Sequence, residues 1–351
     1  MTVVQADGND VEPVTVDEFR IGIAETYDVI VEPVDDTAYT IFAQSEDRSG
    51  FARGTLAPKM GMTAAIPPMD PFPMRTMADM GMGNMKGMKM EEMKGKDMSG
   101  MAGMDMPGMT GMHKKDMPES TKPAAASQNM AAMKMDHSDM PGMEIGGDTA
   151  TTPLPQPGPD TTPVMSMSGM AGNEARLTPS NTVHLHVGPQ VDNVAMEVSE
   201  RLNDPGDGLT GNGRRVLTYA DLRARYRGVD GRPPTREIEL HLSGNMERYI
   251  WGFNGKKFAD AEPIELKLGE RVRFVLINDT MMEHPIHLHG LWSELENGQG
   301  EFNPYKHTVI VKPAERLSYL VTADTPGQWA YHCHFAFHMD AGMFRTVVVK
   351  P

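Results

Sequence analysis

The chain has 351 residues, of which 35 are glycine, 27 proline and only 6% aromatic, and its formal net charge is −15. That length allows two average domains, but so much Gly and Pro with so few rings puts a large part of the chain outside any packed core. The absence of a long basic stripe argues against nucleic acid as a partner, while the acidic balance decides nothing by itself; no apolar run reaches the ~18 residues that span a bilayer, and one cysteine excludes an internal disulfide framework.

The first residues, MTVVQADGNDVEPVTVDEF, have neither a basic start nor an apolar run, so no export signal is expected there. Residues 1–58 read as short strands. FRIGIAETYDVIVEP and DTAYTIFAQ are rich in Ile, Val, Tyr and Thr, bounded by Asp, Pro and Gly. They are too few for a β-sandwich.

Residues 59–173 change character. They hold 26 of the 33 methionines, in strings such as GMGNMKGMKMEEMKGKDM, with Gly and Pro interrupting any helical stripe. Such a stretch is expected to be a disordered, Met-rich linker. Thioethers are soft ligands that suit cuprous ion, so this segment is expected to capture Cu(I), with His113 and His137 as added nitrogen ligands. The plainer alternative is a linker with no binding role.

Residues 174–351 are the folded unit. NTVHLHVG, RVLTYADL, REIELHLSG, ERYIWGFNGKKF, PIELKLGERVRFVLIND, HTVIVKP, RLSYLVTAD and QWAYHCH have strand length and pattern, and YADLRARY reads as a short helix. Many short strands between turns predict an all-β sandwich or barrel.

Two strings in this unit carry the chemistry: HPIHLHG (His284–Gly290) and HCHFAFHMDAGM (His332–Met343). On a strand, side chains alternate faces. His332 and His334 then point one way and Cys333 the other, while His287 and His289 share a face. A thiolate, imidazoles and a weak thioether make the ligand set of a blue copper site. The expected site is His284, Cys333, His338 and Met343. His287, His289, His332 and His334 are expected to form half of a histidine-only cluster behind it. A lone histidine or cysteine on a strand is usually just a packed side chain, but the whole set in this order follows one ligand logic. Zinc sites favour paired cysteines, and this chain has one. His184, His186 and His241 are left out of the site, since isolated strand histidines are usually incidental.

At these residues the chain resembles the multicopper oxidases, through the motif pair HPxHLHG and HCHxxxHxxxxM. Passages such as NDTMMEHPIHLHGLWSELENG and DTPGQWAYHCHFAFHMDAGMFR are similar to the bacterial copper-resistance protein A branch. The resemblance runs from Val187 to the end and more loosely over Phe19–Met80. It implies a cupredoxin-like Greek-key β-sandwich for 174–351. It implies the closing strands of a second cupredoxin domain for 1–58, and a Met-rich insertion between them. It also implies copper as cofactor. Type 1 copper falls on His284, Cys333, His338 and Met343. The type 2/type 3 copper cluster falls on His287, His289, His332 and His334. Electrons from Cu(I) or a small phenolic donor would pass through Cys333 and its neighbours His332 and His334 to dioxygen, giving water. The family's cluster takes further histidines from HxH pairs in a first domain, and those pairs are not in this sequence. The chain is therefore expected to be the C-terminal part of such an oxidase, a truncated product or a late start in a longer frame, with the missing domain supplied by a longer chain or a partner. The alternative is a copper-sequestering or electron-transfer protein without turnover. The resemblance implies a periplasmic location.

Overall fold

The computed structural model describes residues 1–75 and 183–351. The expected Met-rich, copper-capturing segment lies outside the described residues from residue 76 onward; its first part, residues 59–75, carries no strand or helix.

The N-terminal residues form β1 (Thr2–Ala6), β2 (Asn9–Thr15), β3 (Glu18–Phe19), β4 (Tyr27–Ile30), β5 (Tyr39–Gln44) and β6 (Phe51–Leu56). β1 and β2 fall within the stretch read as short strands, ahead of the two strings that carry that reading. The Asp7-Gly8 turn makes the hairpin: both residues have positive φ (48° and 74°), the geometry that matches strand twist and that Asp-Gly tolerates. The strands order β2-β1-β4, all antiparallel, and β5 pairs with β6 as a separate hairpin.

The rest is β7 (Val216–Leu217), β8 (Arg236–Asn245), β9 (Ile250–Phe253), β10 (Ile264–Lys267), β11 (Arg271–Asn278), β12 (His284–Leu288), β13 (Ser293–Leu295), β14 (Tyr305–Lys306), β15 (Thr308–Val311), β16 (Arg316–Thr322), β17 (Gly327–Cys333), α1 (Ala336–Asp340) and β18 (Phe344–Lys350). Two sheets result, ordered β14-β13-β16-β11-β8-β9 and β10-β18-β17-β12-β15. The chain is all-β with a cupredoxin-like sandwich at its C-terminal end. Leu240, Trp251, Phe253, Phe274 and Tyr319 of one sheet and Ile286, Leu288, Tyr331, Cys333 and Val347 of the other belong to one buried apolar core. Each such side chain contributes about 1.5–3 kcal/mol by leaving water.

Two expectations fail. The described part of NTVHLHVG, residues 183–188, forms no strand: only an isolated Gly188–Val191 bridge closes there, and His184 and His186 stay exposed. YADLRARY is not a helix but a single 3-10 turn, Tyr219–Asp221. Its ends are claimed by longer-range partners: Ala224 N–H donates to Phe302 O and Arg225 N–H to Asp10 O.

The N-terminal strands pack against the C-terminal unit. β3 runs parallel to β7, and Val3, Ala6 and Val11 enter the common core. Lys306, fully buried, lies between Asp7 and Glu25, and Arg20 pairs with Glu283.

Candidate metal centre

β12 and β17 lie side by side, with Ile286 opposite Cys333, His287 opposite His332 and Leu288 opposite Tyr331. The two-residue period then sorts every candidate ligand. His284, Ile286, Leu288, Tyr331 and Cys333 turn to the core and are buried, while His287, His289 and His332 turn to the other face.

On the core side, Cys333 Sγ lies 3.6 Å from His284 Nδ1 and 3.8 Å from His338 Nδ1, and the two nitrogens are 3.2 Å apart. This triangle is the size left by one central ion with metal–nitrogen and metal–sulfur distances of roughly 2.0–2.3 Å. α1, one turn past the strand, brings His338 in. Met343 is fully buried beside it. Its placement is fixed by backbone bonds: Met343 N–H donates to His338 O (2.9 Å) and Cys333 N–H to Met343 O (3.1 Å).

The electrostatics suit a cation. Burial pushes the His338 imidazole down to about 4. It pushes His284 well below its usual value, and the charge of His338 adds to that. Both rings are therefore neutral at pH 7 and offer lone pairs. Burial pushes the Cys333 thiol up to about 12, so a thiolate here needs a bound cation to offset its charge. A soft sulfur with two imidazoles and a buried thioether fits copper.

Sequence reasoning missed the residues that aim these ligands. Thr280 Oγ1 gives its proton to Asn278 Oδ1 (2.8 Å) and accepts from His284 Nε2–H at 2.7 Å. That leaves Nδ1 free for metal, the usual division of labour for a ligating histidine. Trp251, buried on β9, stacks on the His338 ring at 3.9 Å and stands edge-on to His284 at 5.3 Å. Trp251 reaches these rings from a segment distant in sequence, whereas Thr280 lies only four residues before His284 but in a loop whose pattern does not mark it as a ligand support.

On the opposite face, His287, His289, His332 and His334 converge. Ring centroids lie 4.5 Å apart for His287–His289, 5.4 Å for His287–His334 and 5.1 Å for His332–His334. His289 Nε2 and His332 Nε2 are 3.1 Å apart. His287 Nδ1–H donates to His307 O (2.7 Å) and His332 Nδ1–H to Cys333 O (3.0 Å). A carbonyl only accepts, so in both neutral rings the proton sits on Nδ1 and Nε2 is left unprotonated. Burial lowers the pKa of His287 to about 4 and also lowers those of His289 and His332. His307 was not singled out from sequence, yet its ring stands edge-on to His287 at 5.2 Å. His241 is elsewhere occupied, with Nδ1 2.7 Å from Asp279 Oδ2.

Comparisons with known proteins agree with this chemistry. Two multicopper oxidase family models match, one over residues 231–351 and one over residues 1–66. The chain is 53% identical over 363 aligned residues to copper resistance protein A of Escherichia coli, covering 100% of this chain and 52% of that protein. It is 50% identical over 350 residues to a copper resistance protein A homolog of Pseudomonas syringae pv. tomato, covering 100% of this chain and 51% of that one. The chain thus spans about half the length of the curated relatives it matches. Among solved structures, blue copper oxidase from Nitrosomonas europaea aligns with 33% of this chain and 44% of its own at 26% identity and a TM-score of 0.30.

Proposed function

The chain belongs to the multicopper oxidase family, in its copper-resistance protein A branch, and on that premise we propose that it is the part of a copper-resistance oxidase that accepts electrons and passes them toward dioxygen. His284, Cys333, His338 and Met343 would hold type 1 copper; His287, His289, His332 and His334 would supply half of a type 2/type 3 copper cluster. Bound there, copper supplies one-electron redox chemistry, by which electrons from Cu(I) or a phenolic donor reach dioxygen and leave it as water. The observation that carries this reading is the buried Cys333–His284–His338 triangle, with sides of 3.2–3.8 Å.

The protein's own residues do the rest. Cys333 sits between His332 and His334, so two peptide units join the two sites. Trp251 and the core exclude water from the thiolate side. Thr280 and the His307 carbonyl set the ring tautomers. Residues 1–58 are read as closing strands of a second cupredoxin-like unit, and 174–351 as the cupredoxin unit with the type 1 site. The separate family match over 1–66 supports that division, as do the exposed side chains of Ile41 and Phe51 on β5 and β6. Residues 59–173 are read as the Met-rich, Cu(I)-binding linker, and the location as periplasmic; among the described residues no helix is long and apolar enough to cross a membrane.

A second reading is copper sequestration or electron transfer without turnover. It is favoured by the four imidazoles that this chain brings to a cluster for which the family pattern calls for further HxH pairs. Oxygen uptake by the copper-loaded chain with a phenolic or Cu(I) donor separates the two. Uptake dependent on His332 and His334 supports the oxidase; a blue protein that consumes no oxygen supports the second reading.

A further inference from the structure

Asp7 sits in the turn between β1 and β2, far in sequence from every proposed ligand. Its carboxylate is buried. One oxygen accepts Thr26 N–H at 2.9 Å. The other accepts the backbone N–H groups of His307 (3.1 Å) and Thr308 (3.2 Å) and lies 3.0 Å from Lys306 Nζ. Lys306 has Glu25 Oε1 as a second neighbour at 3.1 Å. Burial alone would lower the Lys306 pKa, but Glu25, Tyr27 and Asp7 outweigh it and raise it.

Buried ion groups are weak evidence for stability, because apolar residues of the same volume often do as well. What this one sets is geometry. The backbone it clamps at 307–308 carries the carbonyl that accepts His287 Nδ1–H at 2.7 Å. We propose that Asp7 is a positioning residue for the histidine cluster: by holding the His307 and Thr308 N–H groups it aims the His307 carbonyl at His287, and so keeps His287 Nε2 turned toward the metal. Asparagine cannot substitute, since its amide N–H₂ would face either Thr26 N–H or the 307–308 N–H pair, donor against donor. The inference rests on the copper reading given under Proposed function.

The test uses the full chain with Asp7→Asn and Glu25→Gln. Long-range proton–nitrogen correlation NMR of the apo protein reads which ring nitrogen of His287 carries the proton. Titration with cupric ion, followed by EPR, reads affinity at the cluster. Asp7→Asn is expected to release the fixed tautomer and weaken cupric binding at the cluster by about 10- to 100-fold, the usual cost of losing such a support, while the blue band of the Cys333 site is unchanged. Glu25→Gln alters the charge around Lys306 without touching 307–308, and is expected to leave the tautomer as it is. The proposal is overturned if Asp7→Asn keeps both tautomer and affinity, or if Glu25→Gln shifts both equally. Should Asp7→Asn not fold, Asp7→Asn/Lys306→Met removes the unpaired cation and is read the same way. Absence of any blue band in the copper-loaded wild type would overturn the copper reading instead, and the apo tautomer would still decide the role of Asp7.

Discussion

Cys333 faces one side of its strand and its two neighbours face the other, so one peptide unit on each side separates the two proposed metal environments. The side chains that orient the ligands are the next determinant. Thr280→Val keeps the shape but removes the acceptor for His284 Nε2–H; copper affinity of the Cys333 site should fall about 10- to 100-fold by cupric-ion titration, in line with other supports of this kind. Met343→Leu should keep the blue colour and shift the reduction potential measured by redox titration, because a thioether in the position proposed for Met343 would bond copper only weakly, tuning rather than building the site. The apo protein should also lose stability in acid. An unfolded imidazole takes its proton near pH 6.5, whereas buried His338 takes it near 4. Between those values the unfolded chain binds the proton and the fold does not, so stability falls as pH drops from about 6.5 to about 4, by ~3 kcal/mol for this one ring. Denaturant melts of apo protein across that window would show a flat profile if the ring were not buried and neutral.

Strand alternation made the metal centre legible. On β12 and β17 a period of two decides which face each histidine turns to, while the pairing that sets His287 opposite His332 is seen only in the structure. The glycine that ends HLHG is explained by the structure alone. Gly290 has φ +68°, and a Cβ there would come within 2.2 Å of the Trp329 ring. What could not be read were contacts between distant elements. Trp251 reaches His338 from β9, and Asp7 reaches His307 from the first hairpin, with no local pattern to announce either. The helix expected at YADLRARY failed likewise, because Phe302 and Asp10 take the backbone donors that a helix would have used. Arg20 shows the same kind of link: its guanidinium pairs with buried Glu283, the residue before His284. Burial pushes the Glu283 carboxyl up to about 7 despite that partner. Arg20→Leu should therefore destabilise the protein by ~3–5 kcal/mol in thermal melts, the usual effect of stranding a buried charge; an unchanged melt would mean that the pair is not formed in solution.

For the molecule as a whole, the N-terminal strands and the C-terminal sandwich share one core and a buried Lys306–Asp7–Glu25 group. The fold class followed from strand length and turn residues, whereas the packing of β1 and β2 on the remainder left no trace in the sequence, since it rests on a few scattered apolar side chains, Val3, Ala6 and Val11, and on the single polar residues Asp7 and Glu25. All of the functional reading rests on copper held by a buried thiolate. The most direct measurement is the visible spectrum of the copper-loaded chain beside that of Cys333→Ser. An intense blue sulfur-to-copper band in the first and none in the second is the predicted result; a wild type without the band, or a serine variant that keeps it, would contradict the account.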